Sequence, residues 1–110
     1  MVAYVDVASF TWRFQWDPVK AAANLANHSV SFEQAASVFL DPLALTIFDD
    51  EHTDVEERWV TLGRSASGTP LAVVHTIIFT GANSANVRII SARRPTRAEM
   101  RDYEEGEYEG

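Results

Sequence analysis

Five arginines, Arg88, Arg93, Arg94, Arg97 and Arg101, fall within fourteen residues of a 110-residue chain. A guanidinium stays charged, and its planar fork pairs with two oxygens of one phosphate, so such a cluster suits phosphate or nucleic-acid contact. Arg58 and Arg64 add two more, while Lys20, His28 and Glu33 lie close together nearer the start. Histidine and glutamate are groups that move protons. Other chemistries lack their residues. The absence of cysteine excludes disulfides, thiolate zinc sites and a cysteine nucleophile. His28, His52 and His75 are scattered without metal-ligand spacing, and His75, inside an apolar run, reads as a core histidine. The sequence contains no Gly-rich phosphate loop and no nucleophile elbow.

The net charge is −7, which taken alone argues against a nucleic-acid partner. The distribution argues otherwise. Six acids crowd between Asp49 and Glu57, and five more lie between Asp102 and Glu109. Setting those aside leaves five of the 16 acids against all 9 basic residues. Nucleic-acid contact depends on a local basic patch rather than on the sum. The competing reading pairs the arginines with the acidic runs on a solvated surface. Hydrophobic residues at 46% and charged residues at 23% are ordinary for one globular domain over residues 1–110. No apolar run is long enough to cross a bilayer. Residues 1–10 carry no basic segment of the kind that opens a secretory signal, so a cytoplasmic protein is expected.

Residues 1–9 are weakly patterned and fit a frayed extension or an edge strand. Phe10, Trp12, Phe14 and Trp16 alternate with polar residues, which predicts a strand with an aromatic face. Asp17-Pro18 opens a helix, with Val19, Ala22, Ala23 and Ala26 as its buried stripe and Lys20, Asn24, Asn27 and His28 on the polar side. Ser31 and Gln34 form a capping box for a second helix, which Asp41-Pro42 stops. Leu43–Phe48, Glu57–Arg64, Leu71–Phe79 and Asn86–Arg93 read as strands, the third apolar enough to be buried on both faces. Thr96 and Glu99 cap a last helix through about Glu105, and residues 104–110 are expected to be a disordered acidic tail. Consecutive strands at short spacing predict an α+β fold: an N-terminal strand, a helical hairpin, an antiparallel sheet of three to four further strands with helices on one face, and a C-terminal helix.

Several of these segments also share a family pattern. Phe14-Gln15-Trp16-Asp17-Pro18 with Lys20 and Asn24, then His28 through Ala35, then Val38-Phe39-Leu40-Asp41-Pro42, follow one another in register. Glu57-Arg58-Trp59, Gly63-Arg64-Ser65, Arg88 through Arg94, and Glu99 with Tyr103 continue the series. In this order, over roughly residues 10–105, the chain resembles the BrnT-type toxins of type II toxin–antitoxin systems. The resemblance implies a RelE-like fold, ribonuclease activity with neither cofactor nor metal, and neutralisation by a BrnA-type antitoxin. That antitoxin would carry the DNA-binding domain, so operator DNA would be reached only through a hetero-oligomeric complex that represses its own operon.

RNA can be cleaved without metal when the ribose 2′-OH attacks the adjacent phosphate. A base takes the 2′-OH proton, an acid protonates the leaving 5′-oxygen, and cations stabilise the phosphate charge. The candidates are Arg64 first, then Arg88 and Arg93, with His28 or Glu33 as base or acid and Lys20 as a further cation. Each has a plainer role open to it. His28 suits a helix C-terminus as a cap, Glu33 suits a helix's first turn, Lys20 suits a solvated face, and Arg64 could pair with the acidic loop. Alternation sends Arg58 and Arg64 the same way, but puts Arg88 and Arg93, five apart, on opposite faces unless a bulge or strand end intervenes. Arg94, Arg97 and Arg101 read as antitoxin or solvent contacts. Two other readings stand beside the nuclease: a non-catalytic poison of a protein target such as gyrase, and a degenerate toxin that only binds its antitoxin.

Overall fold

The computed structural model describes residues 2–7, 9–50 and 56–109. Six strands form one sheet: β1 (Val2–Val7), β2 (Phe10–Gln15), β3 (Leu45–Asp49), β4 (Arg58–Arg64), β5 (Pro70–Gly81) and β6 (Ser84–Arg93). Helices α1 (Pro18–His28) and α2 (Phe32–Ser37), followed by a 3-10 turn over Val38–Leu40, separate β2 from β3, and α3 (Arg97–Glu109) closes the chain. The strand order is β1-β2-β6-β5-β4-β3. Within residues 1–9, Val2–Val7 therefore supply an edge strand, antiparallel to β2. The sheet is mixed, because β2 joins β6 in parallel while β3 to β6 are antiparallel neighbours.

The capping signals act as the sequence predicts. Asp17 accepts the Val19 N–H at 2.8 Å and Pro18 occupies the first turn of α1. Ser31 and Gln34 form the reciprocal box at α2. At α3 the Thr96 N–H donates to Glu99 and the Glu99 N–H to Thr96. The last helix runs to Glu109, past the expected stop near Glu105. Single residues of low helix propensity near a terminus cost little, and Gly106 does not end this one.

Helix α1 is rotated from its expected setting. Val19 is 77% exposed, and Ala22, Ala23 and Ala26 are exposed as well, whereas Asn24 is buried. The reason is polar. The Asn24 amide donates to the carbonyls of Val30 (3.0 Å) and Ala92 (2.9 Å) and accepts the Ala92 N–H (3.0 Å). One side chain thus ties α1, the approach to α2 and β6 together, and every bond it makes is between buried groups that would otherwise be unpaired.

The two faces of the sheet carry separate cores. Phe14, Leu71, Val73, Val87, Ile89 and Ala92 pack under the helical hairpin with Phe32, Ala35 and Val38. Leu62 and Ala72 pack with Tyr103 of α3. Ala72 lies between Leu71 and Val73 on one strand, so α3 covers the opposite face from α1 and α2. Helices on both faces replace the expected one-sided arrangement. Beyond this cover β5 and β6 outrun β4, and Ile78 and Phe79 near the end of β5 are about two-thirds exposed. Gly63 lies where β4 passes the 3-10 turn. A Cβ there would come within 2.9 Å of the Val38 side chain, so this position needs the absence of one.

His75 is fully buried, in edge contact with the Phe39 ring at 4.8 Å. Its Nδ1 lies 3.2 Å from the Thr76 carbonyl, which can only accept, so Nε2 accepts the Thr61 hydroxyl at 2.7 Å. The imidazole is neutral. Burial pushes its pKa down to about 4, against the upward pull of the Thr76 bond.

Two outcomes follow from these buried polar groups. Asn24→Ala leaves three backbone groups unpaired and is expected to destabilise the fold by about 2–4 kcal/mol in urea unfolding. For His75 the unfolded chain binds a proton before the folded one, so stability falls as pH drops from about 6.5 to about 4. The loss approaches ~3 kcal/mol. A melting-temperature series across this window should show the slope, and His75→Gln should flatten it.

Candidate functional site

The register of β6 sets the site. Arg93 pairs with Ala72 and Arg88 with Thr76, four residues apart on β5, so both project from the same face. Strict alternation forbids this for residues five apart. The resolution is a β-bulge: Val74 pairs with Ser91 but His75 with Ile89, which leaves Ile90 as the extra residue. On β4, Leu62 pairs with Ala72, so Arg58 and Arg64 belong to this face as well. On β2, Gln15 pairs with Arg88, which places Gln15 and Arg13 there too. Five arginines therefore rise from one face, on the side that α3 covers only at one end.

Each guanidinium has a fixed setting. Arg88 donates to Glu56, and both side chains are about 40% exposed (42% and 39%). Arg93 grips Glu99 with both arms, at 2.7 and 3.1 Å. That grip holds the Glu99 carboxyl below the usual carboxylate range and raises Arg93. Arg13 donates to the Tyr4 hydroxyl and to Gln15, each at 3.3 Å. Arg58 and Asp49 line a cavity of about 220 Å³ together with Ser91 and Arg93. Gln15, Glu56, Glu57, Thr76 and Arg88 line another of about 320 Å³.

Arg64 sits at the rim. Its guanidinium donates to the Gly68 carbonyl at 3.2 Å and lies 5.9 Å above the Tyr103 ring. Its backbone N–H donates to Asp41 at 2.8 Å, and the Tyr103 hydroxyl donates to the same carboxylate oxygen at 2.7 Å. Burial pushes the Asp41 carboxyl up, but bonds from the Arg64 and Leu43 N–H groups and from Tyr103 outweigh it and hold the group below its ordinary value.

The remaining candidates lie in the helical layer across the sheet. His28 ends α1, exposed, where a cation is favoured by the helix dipole. Lys20 is exposed in the first turn of α1. Glu33 is exposed in the first turn of α2 and borders an apolar groove with Phe14, Trp16 and Leu40. Ser37 and Leu40 form a shared wall between this groove and the hollow beside Arg64. The structure thus brings Arg64, Arg88 and Arg93 to one face and leaves Lys20, His28 and Glu33 on the other layer. Trp16 is buried, and His52 lies outside the described residues. Among the described residues no three His, Asp or Glu side chains gather as a metal cradle. Arg13 and Glu56 are additions that sequence reasoning missed. Arg13 alternates with the aromatic face of β2, a signal that was available, whereas Glu56 is hidden in an acidic run that reads as solvated loop.

The chain is an α+β protein whose partly uncovered sheet face is set with arginines. The family described as "Ribonuclease toxin, BrnT, of type II toxin-antitoxin system" matches residues 16–99. The chain belongs to this family of BrnT ribonuclease toxins. Among curated proteins none matches the sequence significantly. No helix among the described residues is long and apolar enough to cross a membrane.

Glu99 both grips Arg93 and caps α3. Glu99→Gln keeps the shape and removes the charge, so α3 is expected to loosen by about 1–2 kcal/mol. Hydrogen exchange in Arg97–Tyr103 should quicken while the β5 amides stay protected.

Proposed function

We propose that this chain is a metal-independent endoribonuclease that cleaves RNA by attack of a ribose 2′-OH on the adjacent phosphate. The observation that carries the reading is the shared face of Arg88 and Arg93 created by the bulge at Ile90, with Arg58 of β4 on the same face and lining a cavity with Arg93. A backbone laid across this face meets guanidinium groups in succession, from Arg13 and Arg88 to Arg58 and Arg93, with Arg64 at the far rim. Charge that builds on the phosphate oxygens in the transition state is stabilised by forks already held in place. Trp16 is buried in the core, and the apolar side of the sheet is taken by the helical hairpin, so the arginine face is where a polyanion has room.

The cognate partner in this reading is a BrnA-type antitoxin that neutralises the toxin in a hetero-oligomer. Operator DNA is bound through the antitoxin's own domain, and the complex represses its operon. The place of action is the cytoplasm, where both RNA and operator lie. A second reading has its own observation: Arg88 and Arg93 already face carboxylates, Glu56 and Glu99. A chain whose arginines are wholly occupied by its own acids would bind antitoxin without cutting RNA.

The test is RNA degradation by folded, antitoxin-free protein in the presence of a chelator. Cleavage is expected, and Arg88→Ala should slow it by about 10²-fold with little change in melting temperature, since the side chain is half-exposed. Lack of cleavage by the wild-type chain supports the degenerate reading. A loss on His28→Gln with none on Arg88→Ala would place the chemistry in the helical layer.

A further inference from the structure

The ribonuclease reading leaves open which group removes the 2′-OH proton, and the inference here rests on that reading. We infer that Glu56 is this general base, acting beside Arg88 in the cavity that Gln15, Glu57 and Thr76 also line. Four features single it out.

Glu56 is bonded to a guanidinium of the arginine face, so its carboxylate is held next to the place where a scissile phosphate would sit. Both partners are about 40% exposed, and an RNA strand reaches them without any unfolding. The cavity measures about 320 Å³, and its lining includes polar Gln15 and Thr76 as well as apolar Ile77 and Ile78. Ile78, 66% exposed, offers a base an apolar surface beside the reacting ribose.

Three of the other described carboxylates are committed elsewhere, and Asp49 stands with Arg58 and Arg93 in the neighbouring cavity. Glu99 is gripped at two points by Arg93 and also accepts the Thr96 N–H, and it is held below the usual carboxylate range. Asp41 accepts three hydrogen bonds at the sheet rim. Glu33 stands in the helical layer. Glu57 lines the same cavity, but it is Glu56 that Arg88 holds.

The pairing also has the electrostatics of a base at work. In the resting protein the Arg88 charge is balanced by Glu56. As Glu56 Oε takes the 2′-OH proton, it becomes neutral and releases the guanidinium. The 2′-oxygen forms its bond to phosphorus, and Arg88 turns to the phosphate oxygens as their negative charge grows. The P–O5′ bond breaks, and the 5′-oxygen takes a proton from solvent at the open cavity. The products are a 2′,3′-cyclic phosphate and a 5′-hydroxyl, with no change of oxidation state. The interaction of Arg88 with substrate is therefore stronger in the transition state than in the ground state, which is the condition for acceleration.

The experiment compares wild-type protein with Glu56→Gln and Glu56→Asp on a short RNA. Binding is measured on the same oligonucleotide with 2′-deoxy sugars, which cannot react. Glu56→Gln is expected to slow cleavage by about 10²-fold or more while binding the deoxy strand at least as tightly. Its residual rate should lose the acid limb of the kcat–pH profile, and Glu56→Asp should recover part of the rate with that limb restored. Among the described residues that line the cavity, the charged groups beside Glu56 are Arg88 from β6 and its neighbour Glu57, and a limb that persists in Glu56→Gln but vanishes in Glu57→Gln would assign the proton to Glu57 and overturn the proposal. Unchanged or faster cleavage by Glu56→Gln would also overturn it, the latter making Glu56 a plug on Arg88. A wild-type chain that cleaves nothing overturns the ribonuclease reading, and this assignment with it. Should Glu56→Gln fold poorly by circular dichroism, the Glu56→Asp pH profile decides alone: an unshifted profile at full rate rejects the base.

Discussion

One extra residue in β6 decides what the sheet can do. Ile90 is accommodated as a bulge, and the parity of everything after it changes: Ala92 stays in the core beneath α1, and Arg93 turns to the face that Arg88 already occupies. Without it, a strand that keeps Val87 and Ile89 buried would send Arg93 inward among the apolar side chains of the helical hairpin. The bulge is held from both sides. Asn24 clamps the Ala92 backbone from the helical layer, and the Arg93–Glu99 fork fastens the next residue to α3. The buried asparagine of α1 therefore belongs to the arginine face as much as any residue on it, although it lies across the sheet.

The acidic balance of the chain and its arginine face are reconciled by the same geometry. A sheet face bearing five guanidinium groups within one small domain would repel itself. Glu56 and Glu99 each take one of them, Asp49 lies beside Arg58 and Arg93, and Asp41 braces the strand end that carries Arg64. Partly exposed pairs of this kind contribute little net stability. Their effect is to fix the directions of long side chains that would otherwise wander, which is the condition for holding a phosphate in one place.

Much of this was legible in the sequence. Capping boxes at Ser31 and Thr96 and the Asp17-Pro18 start rest on local chemistry, and they hold, while the strands lie where expected with ends shifted by up to two residues. What failed needed long-range information. The stripe expected on α1 is drawn from alanines, whose small apolar surface barely distinguishes inside from outside, and three backbone bonds to Asn24 overrode it. The parallel pairing of β2 with β6 joins segments some seventy residues apart, and no periodicity reports that. The site was half legible. That arginines suit phosphate is residue chemistry, and the need for a bulge between Arg88 and Arg93 follows from counting. Which candidates share a layer is a matter of tertiary placement, and His28 and Glu33, near neighbours of Lys20 in sequence, part company with the arginines for that reason.

The two carboxylate–arginine pairs on this face differ in a way that assigns them different work. Glu99 holds Arg93 with two oxygens, caps α3 with one of them, and is only 20% exposed. To free Arg93 would be to uncap a helix and to uncover the second core around Tyr103. Glu56 has no helix to cap, and it sits just before β4 with its carboxylate nearly twice as exposed. Its bond to Arg88 can be exchanged for a phosphate with no structural loss, because solvent already reaches both partners. A site that must grip a polyanion and then act on it needs one arginine that stays put and one whose counter-charge can leave. Burial and second duties make Arg93 the first kind. In the proposed ribonuclease Arg88, held among the described residues by the half-exposed carboxylate of Glu56, is the second.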